Sequence, residues 1–405
     1  MRNVTRYAPA GLFFAAHGAA AMELDTLLPA GIPGLGAAAP LSVIGKIQSE
    51  DRPVPLQYAG VSFSPELISG FGYDSAPSGS AAGTETFGLQ PSLIMADVPL
   101  GFGAYLAGNS QFLAGESGQD TAGYTAAMGE AAIFPQETIS LAGGIARTAE
   151  TGFGLNTLGL TKPIAFTVGG VNLGDKILAG MFTLTPAFSV TTAKFDSLPA
   201  EDVTQFRGQA GLAYAPGGPM RLVTHFEATQ SSYRTAASNA QSYAALAGID
   251  EDETGLWEFR LLAGAAWRVP ARDAPGNAGA RAAPVLEAAL TWAPTELDQV
   301  SADAAREIDD PDQIGPAGYT LTEADFSYTH ELGGNVDITG TFKTSNAAYF
   351  GTKLSENIFD AGAIAAWHIN SALALNLSYA FNDRQANFLR AANEHILTFN
   401  AVFTP

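Results

Sequence analysis

From Leu373 to Phe381 every second residue is apolar: Leu373, Leu375, Leu377, Tyr379 and Phe381. Between them stand Ala374, Asn376, Ser378 and Ala380, all small or polar. After a polar break over 382–393 the alternation returns, with Leu397, Phe399, Ala401 and Phe403 on one side and Thr398, Asn400 and Thr404 on the other. Successive side chains of a strand point to opposite faces, so a strict period of two marks strands with one apolar and one polar face. Such a hairpin fits a half-buried pair in a soluble sandwich as well as the closing pair of a transmembrane barrel.

The same period recurs through the chain. It starts at Val61, with Phe63, Pro65, Leu67, Phe71 and Tyr73 alternating with Ser62, Ser64, Glu66, Gly70 and Gly72. Stripes follow near 87–95, 100–106, 121–134, 136–148, 164–168, 182–190, 206–214 and 222–228. The clearest is Trp257, Phe259, Leu261, Ala263, Ala265 and Trp267. Later stripes lie near 286–292, 324–328, 336–342 and 359–367. With the final hairpin the reading is about sixteen strands, an even number, as bacterial barrels have.

Connection lengths separate the two architectures. Short turns are read at 97–99, 134–136, 215–219, 332–335 and 370–371. Long loops are read at 74–83, 113–120, 148–161, 194–202, 233–254, 294–319, 346–356 and 383–392. Short turns at one end and long loops at the other characterise an outer-membrane barrel, with the turns periplasmic and the loops extracellular. A sandwich has no reason to sort its loops in this way. The Pro/Gly-rich stretch 270–281 is an exception, a longer turn on the short side. The distance from Trp257 to Trp267 supplies a length check. Ten residues at about 3.3 Å each, tilted by 40–45°, rise roughly 24 Å, close to the apolar band between two aromatic girdles. The expected fold is therefore all-β: a transmembrane, antiparallel, up-and-down β-barrel. Its expected girdle is Phe63, Tyr73, Trp257, Trp267, Trp292, Trp367, Tyr379 and Phe403.

Composition agrees with this and closes other doors. The net charge is −20, and nucleic acid as a partner is excluded because phosphate binding needs clustered Lys and Arg. With no cysteine, disulfides, thiolate metal sites and a lipidated N-terminal Cys drop out. Arg2 and Arg6, the apolar run Ala8 to Ala16 and the small residues Ala19-Ala20-Ala21 read as a cleaved secretory signal over 1–21. Residues 22–58 carry Pro29, Pro33, Pro40, Pro53 and Pro55, which suit neither a long helix nor a central strand. This segment is read as a periplasmic arm or a partial plug inside the barrel, and 59–405 as the barrel itself.

The alanine-rich signal, Leu27-Leu28-Pro29-Ala30-Gly31-Ile32-Pro33-Gly34, Phe71-Gly72-Tyr73-Asp74-Ser75 and the closing hairpin together resemble the putative β-barrel porin 2 family. That resemblance implies an outer-membrane barrel of Gram-negative bacteria, a class often associated with exopolysaccharide export, and it carries over no catalytic residue. The chain departs from the usual barrel ending, since Thr404 and Pro405 follow the last aromatic, Phe403.

If the apolar stripe faces lipid, the other stripe lines the lumen. It holds Arg207, Arg221, His225, Glu227, Glu258, Arg260 and Arg268, then Glu323, Asp325, Asp337, Lys343, Asp360 and His368. Basic groups on one arc and acidic groups on another would set a field across a water-filled pore; the plainer alternative is a wall of neutralised charges. The third long loop, Thr148 to Thr161, has Gly152, Gly154, Gly159 and few charges, and it is read equally as a constriction folded inward or as a loop that stays outside. The acidic runs 250–253 and 307–312 lack EF-hand spacing and are read as solvated loops, so no metal site and no cofactor are expected.

Three functions compete. The first is a porin-like channel for small polar solutes or saccharides. The second is a non-conducting structural or exopolysaccharide-export accessory barrel. The third is a lipid-modifying enzyme, for which His395 on the lipid face is the one interesting residue, without an identified serine partner. No Gly-x-Ser-x-Gly or His-Glu-x-x-His motif occurs, so the chain is not read as an enzyme. Expected partners are outer-membrane lipid and lipopolysaccharide, the outer-membrane insertion machinery, and a small-solute or polysaccharide cargo. Porins of this size often form homo-oligomers, and the oligomeric state stays open.

Overall fold

The computed structural model describes residues 28, 32–35, 54–77, 83–97, 99–115, 118–155, 160, 162–235, 238–251, 256–271, 279–310 and 318–405. The expected signal at 1–21 lies outside them.

Apart from 3₁₀ positions at Pro77 and Ser238, all regular structure among the described residues is strand. A short β1 (Leu56–Tyr58) turns at Ala59 and Gly60 into β2 (Val61–Asp74). There follow β3 (Thr84–Asp97), β4 (Phe102–Leu113), β5 (Thr121–Ile133), β6 (Glu137–Glu150), β7 (Ile164–Ala179), β8 (Phe182–Phe195) and β9 (Val203–Tyr214). The middle of the chain forms β10 (Met220–Tyr233), β11 (Ala240–Glu251), β12 (Trp257–Pro270), β13 (Arg281–Trp292) and β14 (Asp298–Asp309). The last part forms β15 (Tyr319–Leu332), β16 (Val336–Tyr349), β17 (Ser355–Asn370), β18 (Leu373–Ala386) and β19 (Ala392–Phe403).

Each strand from β2 to β19 pairs antiparallel with the next, and β19 pairs back onto β2, from Ile396 opposite Asp74 to Phe403 opposite Leu67. The result is a closed up-and-down barrel of 18 strands. Closure removes the exposed strand edges that would otherwise template aggregation. Below the point where β19 stops, β1 covers the remaining edge of β2, pairing Leu56 with Phe63 and Tyr58 with Val61.

The count of sixteen is corrected to eighteen by two strands placed inside segments read as long loops. β11 (Ala240–Glu251) lies inside 233–254 and β14 (Asp298–Asp309) inside 294–319. Their outward residues are Tyr243, Ala245, Ala247 and Ile249, and Val300, Ala302 and Ala304. Alanine supplies too little apolar contrast for the period of two to stand out, and the acidic residues between mimic a solvated loop. The correction also reverses the direction of β12 and β13. The stretch 271–280 thereby moves to the end that carries 75–83 and 151–163, and 252–256 and 293–297 become short turns at the other end. The apparent exception to the loop sorting disappears. The loops read at 346–356 and 383–392 also shrink, to 350–354 and 387–391, because their strands run on past the apolar band with polar residues.

Burial follows parity. Large apolar side chains stand exposed on one face all round the barrel, for example Phe71 (64%), Met128 (59%), Phe226 (55%) and Trp257 (50%). The opposite face holds the packed residues, including Val168 and Tyr319, both at 0%. A protein whose apolar face points out and whose core lies within its own barrel is built for lipid.

Candidate functional site: the filled lumen

The thirteen side chains expected to line the lumen all lie on the face opposite the exposed apolar stripe. Arg207 and Glu227 face each other across β9 and β10 at 3.4 Å. His225 lies 3.9 Å from the same carboxylate. Arg221 grips Asp250 of β11 with two hydrogen bonds, at 2.7 and 2.8 Å. Arg260 meets Glu287 of β13 at 3.2 Å, and Arg268 meets Asp310 at 2.5 Å with its side chain only 3% exposed. Glu258 shares the inner face of β12, where its register partner is Thr291. On the other arc Lys343 stands 3.4 Å from Glu323, which also accepts from the Ser345 hydroxyl, and Asp337 contacts His368 at 3.2 Å.

These contacts change the expected electrostatics. Each arginine of the basic arc is paired with a carboxylate: Arg207, Arg221 and Arg260 with one on the adjoining strand, and Arg268 with Asp310 just beyond β14. What remains is an acidic row. Asp303, Asp325, Lys343, Asp360, Asn382 and Glu394 are successive cross-strand neighbours from β14 to β19, four carboxyl groups to one ammonium.

Several partners were not legible in the sequence. Asp250 falls in a segment expected to be a loop, yet it belongs to the end of β11 and faces inward. Asp303 lies on the unrecognised β14. Glu356 and Arg384 lie on strand ends that also fall in expected loops, where counting parity further along the strand would have found them, and Glu394 follows directly after the polar break. The runs expected as acidic loops are thus partly wall.

Two chain segments fill the barrel. The first is the loop after β6. Thr151 to Leu155 points inward, with Phe153 and Leu155 buried. Leu155 packs with Tyr319, Leu321, Ala347, Tyr349 and Ile358, all on the inner faces of β15, β16 and β17. The Arg384 guanidinium on β18 donates to the Gly152 carbonyl, and Arg384 Nε stands 4.0 Å from the fully buried Glu356. The loop that left β6 is therefore seated on the far wall, and of its two readings the inward one describes it.

The second filler comes from before the barrel. Leu28, Ile32 and Leu35 are buried in one cluster with Ala127, Ala142, Ala146, Phe166, Val168, Phe195 and Tyr233 on the inner faces of β5 to β10. Burying an aliphatic side chain of this size is worth about 1.5–3 kcal/mol. Asn172 Nδ2 donates to the Gly34 carbonyl at 2.8 Å. Glycine makes the approach close: a Cβ on Gly129 of β5 would stand 1.9 Å from the Pro33 carbonyl oxygen. Beside the segment, at the short-turn end, a cavity of about 400 Å³ is lined by Gly34, Ser140, Lys176, Gln209 and His225 among others.

Among the described residues of the two segments, none packs in these clusters against the inner wall of β14. Asp303, Ala305 and Glu307 are exposed there, and Glu287 of the adjoining β13 is 43% exposed.

Outside, Trp257 and Trp292 are register partners near the short-turn end, where Phe63, Trp367 and Phe403 also sit. Tyr73 and Trp267 lie towards the other end, and Trp267 stacks on Tyr243 with centroids 5.6 Å apart. Tyr379 lies midway along β18, and its hydroxyl contacts Nδ1 of His395 at 2.8 Å. The imidazole's neighbours are thus the Tyr379 hydroxyl and the Phe381 ring, and Ser75 reaches only the His395 backbone N–H.

A closed barrel with an apolar exterior, sorted loops and an ionisable interior calls for one comparison above all. Residues 223–400 match the family model of putative beta-barrel porin 2. Over those 178 of its 405 residues the chain is similar to that family of β-barrels. No curated protein sequence matches this chain. Among solved structures it is similar to OccK2 (OpdF) of Pseudomonas aeruginosa, with a TM-score of 0.48 at 10% identity over 84% of this chain and 98% of that one. It is also similar to the outer-membrane protein opdK of the same organism, with a TM-score of 0.47 at 10% identity over 85% and 99%. OpdL of that organism aligns with a TM-score of 0.44 at 12% identity over 86% and 99%.

Proposed function

We propose that this porin-like barrel is a restricted diffusion channel for small polar solutes or saccharides, with cations favoured over anions. One observation carries the reading: the two fillers pack on β5 to β10 and on β15 to β17, and the acidic inner wall at β13 and β14 is left open to water. An 18-stranded barrel is wide enough for an aqueous channel when its interior is incompletely filled. Along that wall a solute meets Glu287, Asp303 and Glu307, while Arg260 is held by Glu287. Fixed negative charge in a narrow aqueous path raises the local concentration of cations and lowers that of anions.

The presence of two fillers also supports a second reading, a non-conducting barrel that serves export or surface structure. Planar-bilayer recording separates the two. The channel reading expects steady single-channel steps and a reversal potential in a KCl gradient on the cation-selective side. A protein that inserts, resists heat on unboiled gels and passes no current is the accessory barrel.

A further inference from the structure

We propose that the segment bearing Leu28 and residues 32–35 is a seated plug of this chain's own making, whose release from the wall of β5 to β7 widens the passage. The inference rests on the channel reading above and adds the element that limits it.

The seat is built from both sides. On the wall, Gly129 leaves room for the Pro33 carbonyl, and Asn172 supplies a side-chain donor to the next carbonyl, that of Gly34. On the segment, Gly34 has φ of +77° and lies so near the wall that a Cβ would stand 3.1 Å from that of Ser140. A left-handed backbone without a side chain is what glycine alone adopts at no steric cost. Three apolar side chains then cover apolar wall residues that a water-filled pore would otherwise wet, Phe166, Val168 and Phe195 among them. A transport wall has no use for such residues in contact with water, since exposed apolar surface is unfavourable there. They are the complement of Leu28, Ile32 and Leu35. Yet the described residues of the segment meet the wall through the Asn172 side chain and apolar contact, not through strand pairing, so the segment can leave while the barrel stays closed.

The test uses substitutions in the wall, so that the segment's own seating residues are compared in one background. Gly129→Ala puts a methyl group where the Pro33 carbonyl now lies and 2.9 Å from the Ala142 Cβ of β6, so the Pro33 carbonyl must leave and Ala142 must shift slightly to admit it. Asn172→Ala removes the hydrogen bond and adds nothing. Each is made with Ile32→Cys in the full-length chain, which has no other cysteine. Expected are slow maleimide labelling at position 32 in the otherwise native wall, rapid labelling in Gly129→Ala, and a severalfold larger conductance for Gly129→Ala, with Asn172→Ala between. Rapid labelling in the native wall means that the segment is not seated and overturns the proposal. Rapid labelling in Gly129→Ala with unchanged conductance assigns the segment a purely structural role and also overturns it, while steady current through every form leaves the channel reading standing. If neither these variants nor Leu155→Ala conduct, the channel reading falls, and the plug's role in passage falls with it.

Discussion

Arg384 on the inner face of β18 donates a hydrogen bond to the carbonyl oxygen of Gly152, which belongs to the loop leaving β6. The contact ties two remote parts of the barrel wall through the lumen. Its anchor is Leu155, set among Tyr319, Leu321, Tyr349 and Ile358.

Shortening that anchor is the first test. Leu155→Ala removes a buried side chain at a typical cost of about 2–5 kcal/mol, which here falls on the loop's seat and not on the ladder of strands. The barrel should keep its heat-modifiable mobility on gels, and single-channel conductance should rise. Unchanged conductance would show that the loop does not restrict the path.

A second test concerns the two faces of β12. Leu261 is 46% exposed on the outer face, and Arg260 faces inward on Glu287. Leu261→Arg places a cation in the lipid band at a cost of about 2–4 kcal/mol, so the yield of folded protein in the outer-membrane fraction should drop. Arg260→Gln removes one half of a partly solvated pair worth at most about 1 kcal/mol, so assembly should hold while selectivity moves further towards cations. The reverse pattern of yields would mean that the faces are exchanged.

Eighteen strands and sixteen place the stretch after β12 on opposite sides of the membrane. The variant Gly279→Cys, at a position where a Cβ meets open space, should react with a membrane-impermeant maleimide on intact cells. On β14, Ala305→Cys should react with a water-soluble reagent, and Ala304→Cys should resist it, because the two side chains point to opposite faces. Equal reactivity of the pair would argue that 298–309 is not a strand.

Asp196, just beyond β8, accepts two hydrogen bonds from Arg147 of β6, the shorter at 2.6 Å. Those bonds hold its carboxyl below the ordinary value of 3.8. A carboxylate whose folded value is depressed stabilises the fold fully above its unfolded value and loses that contribution as the pH falls through the folded one. Thermal scans of the native protein between pH 7 and pH 3 should therefore show a steeper loss of stability than scans of Arg147→Gln. Parallel curves would show that the pair contributes nothing, as many exposed pairs do.

Much of the architecture was legible in the order of residues, because a strand between lipid and water must alternate, and alternation survives in one dimension. Leu373 to Phe381 shows this, as does Trp257 to Trp267: parity alone assigned Arg260 and Leu261 to opposite faces. The sorting of short turns and long loops was equally visible, since it reflects which end must cross the membrane during assembly. β11 and β14 escaped because Ala245, Ala302 and Ala304 bury too little apolar surface to mark a face, and only their hydrogen bonds to flanking strands identify them. The pairing of Arg221 with Asp250 and of Arg268 with Asp310 depended in turn on those strands.

Where the two candidate fillers seat on the wall emerged in three dimensions alone. Nothing local to Gly152 points to Arg384, and nothing local to Gly34 points to Asn172, because each partner is brought near by closure of the whole sheet. The order of residues dictated a membrane barrel with a polar inner face, since the hydrophobic effect acts on every strand separately. Which parts of that inner face are covered, and which are left to water, depended on contacts between segments remote in the chain, and only a closed barrel brings those together.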